Sequence, residues 1–114
     1  MSRPPHPHTA LVAAIRLALG REPDLVLWPL KQGVASAREG HMRWYGLVKG
    51  ASDILGVLGP RGRFVALEAK TGNAVPTPEQ RRFLAAITRH GGIAAVVRSV
   101  DEARSVLDAA RRER

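Results

Sequence analysis

Residues 50–80 read GASDILGVLGPRGRFVALEAKTGNAVPTPEQ and contain the clearest secondary-structure signals of the chain. Two short apolar runs, at 54–58 and 63–69, flank a Gly-Pro-Arg-Gly turn at 59–62. Glycine and proline in those places indicate a turn, so the stretch predicts two strands joined as a hairpin. Both strands are apolar on both faces, which is typical of central strands covered by helices.

The hairpin brings acidic residues together at its open end. If Leu58 pairs with Arg63, the register places Asp53 directly opposite Glu68, with Cβ atoms about 4.5–5.5 Å apart. Side chains alternate between faces along a strand, so Lys70 lies on the same face as Glu68. The sequence therefore predicts two carboxylates and one ammonium on one face, beside an apolar interior.

Such a group of side chains suits a hard divalent cation. Magnesium takes oxygen ligands, usually one or two carboxylates together with water and substrate phosphate. A cation removes the repulsion between facing carboxylates, lowers the pKa of its water and stabilises charge on a phosphate, while Lys70 can orient the water. The same residues can also form an ordinary ion pair at the end of a hairpin, and the spacing alone leaves both interpretations open.

Asp53, followed by Glu68-Ala69-Lys70 after a hairpin, resembles the D…ExK core of the PD-(D/E)xK nuclease superfamily. The wider strings GASDILGVL, FVALEAKTGNAVPTPEQRRFLAAI and GGIAAVVRSVDEA are similar to the VRR-NUC family, the virus-type replication-repair nucleases. The resemblance extends from about the first helix to Val106 and implies a stand-alone domain. It implies an α/β fold of the restriction-endonuclease type, with a small mixed β-sheet flanked by helices.

The resemblance also implies an activity, a metal-dependent DNA endonuclease that hydrolyses phosphodiester bonds. Asp53, Glu68 and the Ala69 carbonyl would hold magnesium or manganese, Lys70 would position or activate the attacking water, and Gln80 would support Lys70 or the phosphate. Family members that consist of the domain alone resemble Holliday-junction resolvases. Branched DNA as substrate, a homodimer and a role in DNA repair in a bacterial or phage-infected cell are therefore expectations from the resemblance.

Gln80 has a second explanation in the local sequence. Thr77-Pro78-Glu79-Gln80 combines an N-cap threonine, proline at the first helical position and glutamine at the capping-box position. The pattern predicts a helix that continues to Gly91-Gly92, then a strand at 93–98 and a last helix opened by Ser99. The capping role and the site role are compatible, because a helix N-terminus near a cation also favours anions.

The N-terminal part departs from the family pattern. Thr9 is predicted to cap a first helix that runs from about Ala10 to Leu19. The family usually carries a glutamate at the start of this helix that helps to bind metal, and this chain has none there. His8 lies about where that glutamate belongs and is a candidate metal ligand, with an ordinary surface histidine as the alternative. The missing carboxylate makes a non-catalytic DNA-binding module with a degenerate nuclease site the second hypothesis.

The net charge favours a polyanionic partner. Lys and Arg number 18 against 10 Asp and Glu, a formal charge of +8, which predicts attraction to nucleic acid with strong salt dependence. Arg38, Arg43 and Lys49 interleave with Trp44 and Tyr45, and these three cations are candidates for contact with DNA phosphates. The two aromatic residues are interpreted as core residues. A structural or regulatory protein whose basic charge is incidental is the third hypothesis.

The composition is typical of one soluble globular domain, with 45% hydrophobic and 25% charged residues in 114. Residues 1–8 are predicted to be a flexible lead-in, and 9–114 the single nuclease-like domain. The absence of cysteine excludes disulfides and thiolate metal sites and fits a reducing cytoplasm. No apolar run approaches the ~18 residues that span a bilayer, and the N-terminus lacks the apolar core of a secretory signal. A cytoplasmic protein that needs no membrane is the expectation.

Overall fold

A computed structural model of the chain describes residues 6–30, 33–36, 42–45 and 49–113, the second and third of these ranges as backbone. The described residues form a small α/β fold. In chain order the elements are α1 (Pro7–Leu19), β1 (Leu25–Pro29), β2 (Gly33–Ser36), β3 (Met42–Tyr45), β4 (Ile54–Leu58), β5 (Arg63–Ala69), α2 (Pro78–Arg89), β6 (Ile93–Val97) and α3 (Val100–Arg112). Among these residues no helix combines the length and the hydropathy needed to cross a bilayer.

A mixed sheet with strand order β1-β4-β5-β6 forms the centre of the fold. β4 is antiparallel to both β1 and β5, whereas β5 is parallel to β6. Strands β2 and β3 form a separate antiparallel pair. Leu58 pairs with Arg63, as the sequence predicted, and the ladder continues to Ile54 opposite Leu67. The next pair in this register is Asp53 and Glu68, so the predicted fold class and the hairpin register are both confirmed.

The core lies between one face of the sheet and helices α1 and α3. Val65 and Leu67 of β5 project from this face and pack with Ile15 of α1 and Leu107 of α3, all fully buried. Full burial of one such side chain contributes roughly 1.5–3 kcal/mol, so this cluster fixes β5 against both helices. Because side chains alternate along a strand, Glu68 points to the opposite face of the sheet.

Helix α2 packs against β5 and β6 on that opposite face, where its Gln80 side chain contacts Glu68. Farther along the same face an apolar row stays at least one third exposed; it consists of Val26, Trp28 and Phe64. The sheet therefore lies between helices on both faces. Among the described residues, the face that carries Glu68 is covered at one end, by α2, and is open at the other.

The predicted start of the first helix is wrong, because α1 begins at Pro7, three residues before Ala10. His6 caps this helix: its Nδ1 accepts a hydrogen bond from the His8 backbone N–H at 3.2 Å. Histidine is not among the preferred N-cap residues, which explains why Thr9 was the more obvious choice. His8 thus belongs to the first helical turn. Residues 1–5 of the predicted lead-in lie outside the described residues.

The starts of α2 and α3 agree with the sequence. Thr77 caps α2, both hydrogen bonds of the capping box with Gln80 are present, and Pro78 follows the cap. Ser99 caps α3, its hydroxyl accepting a hydrogen bond from the Glu102 backbone N–H. β6 ends at Val97, one residue before the predicted end.

Arg111 holds the far end of α3 to the connection between α1 and β1. Its guanidinium donates hydrogen bonds to Glu22, Asp24 and Asp108. The hydrogen bond from Arg111 is the main reason that the pKa of Asp24 is lowered. We refer to these four residues as the Arg111 cluster. Because all three carboxylates bind the same guanidinium, we interpret the cluster as one that stabilises the fold.

Candidate active site

Asp53 and Glu68 meet at the open end of the β4–β5 hairpin. Asp53 precedes β4, and its Oδ2 accepts a hydrogen bond from the Ala69 backbone N–H at 2.9 Å. This bond crosses from one strand to the other and fixes the carboxylate against β5. Glu68 is the next-to-last residue of β5, and only 1% of it is exposed. The hairpin therefore places one carboxylate at the rim of the sheet and the other inside the protein.

Burial and the neighbouring carboxylate together perturb the ionisation of Glu68. Burial is the main cause that raises the pKa of Glu68 to about 8, and the adjacent Asp53 carboxylate adds to it. The ammonium of Lys70 offsets only part of this effect. Near neutral pH Glu68 therefore retains its proton, because a second negative charge beside Asp53 in this buried environment is unfavourable.

The two oxygens of Glu68 have different surroundings. Oε2 accepts a hydrogen bond from Gln80 Nε2 at 3.1 Å and lies 3.5 Å from Lys70 Nζ. Oε1 is buried and has no hydrogen-bond partner among the residues that the structure describes. Buried polar atoms are normally paired, so this oxygen is free to take a proton or a cation. We call Asp53, Glu68, Lys70 and Gln80 the carboxylate cluster.

The side-chain amide of Gln80 caps α2 with its oxygen and contacts the carboxylate cluster with its nitrogen. Its Oε1 accepts a hydrogen bond from the Thr77 backbone N–H at 2.9 Å, and its own backbone N–H donates to Thr77 Oγ1 at 3.1 Å. Because the capping box directs the amide oxygen to Thr77, the Nε2 end is directed to Glu68. Gln80 thus caps α2 and contacts the carboxylate cluster at the same time. Its side-chain contact in the cluster is with Glu68, whereas the sequence led us to expect Lys70 or the phosphate.

Gly50 lets the loop before Asp53 approach the first turn of α2. It has a φ of +92°, and a Cβ built on it would lie within 3 Å of backbone and side-chain atoms of Glu79. Glycine alone adopts this conformation at little cost. The close contact brings Lys49, Asp53 and Gln80 around one cleft of about 270 Å³.

His8 also reaches the carboxylates, from the start of α1. Its Nε2 lies 3.1 Å from Asp53 Oδ2. The first turns of α1 and α2 therefore contribute one side chain each, His8 to Asp53 and Gln80 to Glu68. Proline is the first helical residue of both helices. At Pro7 this signal could have placed His8 inside the first turn of α1.

The three basic residues predicted to contact DNA differ in what the structure shows of them. Lys49 is exposed and lines the cleft that also contains Asp53. Arg43 belongs to β3, where the described part is backbone, and Arg38 lies outside the described residues. Lys49 is thus the one of the three that the described side chains bring to the carboxylate cluster.

The donor atoms of the cluster fit a small, hard cation. They are carboxylate oxygens, joined at the same edge by the Ala69 carbonyl, because the N–H and carbonyl of a strand residue point to the same side. Within 6–30, 33–36, 42–45 and 49–113, no group of three or more His, Cys, Asp and Glu side chains is arranged to hold a metal ion. Magnesium needs only one or two carboxylates with water and phosphate, so two carboxylates with a buried, unpartnered oxygen meet its requirements.

Comparison with known protein families assigns the chain. A family model described as the VRR-NUC domain matches residues 34–101, more than half of the sequence. The chain belongs to the VRR-NUC family. This is a nuclease family, as the resemblance of the hairpin motif predicted. Among curated proteins, no sequence matches the chain.

Of the two helices whose first turns reach the carboxylates, the VRR-NUC match includes α2 and not α1. It runs from β2 to the first turn of α3 and includes all four residues of the carboxylate cluster. Helix α1 lies outside it, and His8 with it. The contact of His8 with Asp53 is therefore a feature of this chain that the VRR-NUC match does not cover.

Proposed function

We propose that this VRR-NUC protein is a divalent-metal-dependent DNA endonuclease that hydrolyses phosphodiester bonds at the carboxylate cluster. The observation that carries the proposal is the buried, unpartnered Oε1 of Glu68 beside the carboxylate of Asp53. A buried charge without a partner lowers the stability of the fold. Groups perturbed in this way are found chiefly at sites that bind a ligand or carry out a reaction. A cation between the carboxylates removes the cost.

The residues assigned to the ion are Asp53, Glu68 and the carbonyl of Ala69, with magnesium or manganese as the ion. A bound cation of this kind supplies a water of lowered pKa and stabilises negative charge on a phosphate. We further propose His8 as a nitrogen donor on the Asp53 side, since its Nε2 is already 3.1 Å from Asp53 Oδ2. Imidazole suits manganese and later transition metals better than magnesium.

Lys70 and Gln80 act on the substrate side and on the orientation of Glu68. Lys70 Nζ is held near Glu68 Oε2 in a largely buried position, where its charge orients the attacking water and stabilises charge that develops on the phosphate. Gln80 donates to the same oxygen and so keeps Oε1 turned away from the amide. The N-terminus of α2 adds a favourable field for the phosphate.

The proposed substrate is DNA. The net charge of +8 favours a polyanion, and Lys49 beside Asp53 provides a phosphate contact at the site. Arg38 and Arg43 are proposed as further contacts along the same strand. Branched DNA such as a Holliday junction, repair of DNA as the biological role, and a cytoplasmic location complete the proposal.

A homodimer is proposed as the acting form, because a two-fold dimer places two sites on paired strands. The exposed apolar row of Val26, Trp28 and Phe64 offers area for such a contact. Sedimentation velocity at several protein concentrations tests this part: a dimer supports it, and a monomer at all concentrations contradicts it.

The proposal is tested by incubating the protein with plasmid, linear duplex and four-way junction DNA in magnesium, manganese or EDTA. We expect cutting with either ion and none in EDTA. Lys70→Ala should lower the cleavage rate by at least about a hundredfold and leave DNA binding nearly unchanged. Arg61→Ala, in the turn at the other end of the hairpin, is the matched control and should cut normally. Intact DNA with the wild type in both ions, or normal cutting by Lys70→Ala, would contradict the proposal.

The second candidate function is a DNA-binding module without catalysis. The observation that favours it is the first turn of α1, which contains no acidic residue. The proposed ion would therefore have only the carboxylates of Asp53 and Glu68 as charged ligands among the described residues. Salt-dependent DNA binding without cutting in either metal would assign the chain to this class. Absence of DNA binding even at low salt would instead favour the structural or regulatory protein.

A further inference from the structure

Two clefts meet at Asp53, and each measures about 270 Å³. The α1 cleft lies between the first two turns of α1 and the end of β1; besides Asp53 it is lined by His8, Val12, Ala13, Arg16, Pro29 and Leu30. The α2 cleft lies on the other side of Asp53 and is lined by Lys49, Gly50, Thr77, Glu79 and Gln80. Since Asp53 forms a wall of both, a chain molecule that passes the carboxylate can occupy both clefts at once.

The two clefts differ in chemistry. The α2 cleft carries the ammonium of Lys49 and the N-terminus of α2, which favour phosphate groups, beside the carboxylates of Asp53 and Glu79. The α1 cleft has the aliphatic side chains of Val12 and Leu30 and the rings of His8 and Pro29, with the guanidinium of Arg16 as its cation. Apolar walls with one planar imidazole ring and one guanidinium suit a planar heterocycle that is joined to an anion.

We propose that the α1 cleft binds one unpaired nucleobase of the strand whose adjoining phosphate lies at Asp53, so that the substrate carries unpaired nucleotides at the cut. This inference rests on the proposed nuclease function and adds to it the feature of DNA that the site selects. A base in a duplex is stacked and paired and enters a cleft only after extrusion, whereas an unpaired base enters at little cost.

The size and position of the α1 cleft favour a nucleobase over other occupants. One water takes up roughly 30 Å³ of liquid, so the cleft has room for a single heterocycle and is too small for a helix or strand of a partner. Arg16 lies at the cleft and matches the charge of a neighbouring phosphate. The shared wall with the carboxylate cluster puts any such base within one nucleotide of the proposed reaction.

The test compares Ala13→Trp with Ala14→Trp. Both alanines are exposed on α1, but Ala13 lines the cleft and Ala14 does not. The probe is a short duplex with a central bulge that contains 2-aminopurine, against the same duplex fully paired, both titrated in EDTA so that nothing is cut. Ala13→Glu, which places a carboxylate at the cleft, is the second variant, and thermal unfolding verifies that each variant folds.

We expect the wild type to bind the bulged duplex about tenfold more tightly than the paired one, since stacking of one base contributes about 1–3 kcal/mol and about 1.4 kcal/mol corresponds to tenfold. The fluorescence of the bulged 2-aminopurine should change on binding. Ala13→Trp and Ala13→Glu should lose the preference and the fluorescence change, and Ala14→Trp should keep both. Equal affinity for the two duplexes, or an unchanged preference in both Ala13 variants, would overturn the inference. A change in the sedimentation of DNA-free Ala13→Trp would assign the cleft to a second copy and overturn it as well.

Failure of this inference can be told from failure of the nuclease function. A protein that cuts fully paired DNA in manganese as fast as bulged DNA is a nuclease without the base cleft. A protein that prefers the bulged duplex in EDTA but cuts neither duplex with any ion has the base cleft without the nuclease function.

Discussion

Two charged clusters lie at opposite ends of the same strands and have opposite properties. The Arg111 cluster is near the end of β4, where Gly59 donates a backbone hydrogen bond to the Asp24 carbonyl. Its carboxylates share one guanidinium, and the pKa of Asp24 is lowered. In the carboxylate cluster the pKa of Glu68 is raised to about 8, and one of its oxygens has no described partner. The ammonium of Lys70 offsets only part of the raised pKa in this second cluster.

We interpret the Arg111 cluster as structural and propose the carboxylate cluster as the functional one. In the Arg111 cluster each of the three carboxylates accepts a hydrogen bond from the same guanidinium. Charges that serve a reaction are left incompletely paired and lower stability where they lie. By this criterion the carboxylate cluster is the place to expect a ligand, although both clusters consist of the same residue types.

The same change, aspartate to asparagine, should have very different effects on cleavage in the two clusters. Asp53→Asn should lower metal-dependent cleavage by at least about a hundredfold, because it removes a carboxylate from the proposed ion site. Asp24→Asn should change the rate by less than about threefold, since surface ion pairs act mainly on stability. Initial cleavage rates at saturating manganese measure both. Equal losses in the two variants would show that the clusters do not differ in function.

The two clusters should also respond to pH in opposite directions. The folded chain holds a proton on Glu68 that the unfolded chain releases above about pH 4.5, so metal-free stability should fall as the pH rises from about 4.5 to about 8. Each unit of pKa difference corresponds to about 1.4 kcal/mol, so this fall is on the order of a few kcal/mol. Because the pKa of Asp24 is lowered, its contribution is present above the ordinary value of 3.8 and is lost as the pH falls below it.

Urea unfolding in EDTA at a series of pH values measures these contributions. Glu68→Gln should remove most of the fall between pH 4.5 and 8, and Asp24→Asn should reduce the loss of stability in acid. A wild-type slope in Glu68→Gln would mean that the carboxylate pair holds no extra proton.

A smaller effect separates the two tasks of Gln80. Gln80→Glu keeps a side chain that completes the capping box but replaces the donor to Glu68 with a third carboxylate. We expect unchanged stability of α2 and cleavage reduced by about tenfold, since hydrogen bonds to charged groups contribute about 1.5–3 kcal/mol. Gln80→Ala should lose the cap as well, at a cost of about 1 kcal/mol. Thermal unfolding and cleavage rates distinguish them, and equal unfolding temperatures for the two variants would contradict the division of roles.

Local signals explain which parts of the site the sequence predicted. The turn at 59–62 fixed the register that brings Asp53 to Glu68, because a hairpin register follows from its loop. The start of α2 was equally accessible, since Thr77, Pro78 and Gln80 all act within one turn of helix. Strand alternation then sufficed to place Lys70 beside Glu68.

The parts that the sequence did not predict depend on contacts between distant residues. Arg111 and Asp24 are 87 positions apart, and their pairing follows from the packing of α3 against α1. The burial of Glu68 and its open Oε1 likewise depend on how α2 lies on the sheet. The start of α1 was predicted three residues too late because the helix is capped by an unusual residue, His6. Register and capping are local properties, whereas desolvation and long-range pairing are properties of the whole fold.

Calorimetric titration of manganese into the EDTA-treated protein shows whether Asp53 and Glu68 form a divalent-cation site. We predict that the wild type and Asp24→Asn bind manganese with the same affinity, and that Glu68→Gln and Asp53→Asn bind it at least about tenfold more weakly, as loss of a charged ligand requires. Equal manganese binding by all four proteins, or no binding by the wild type, would contradict the claim.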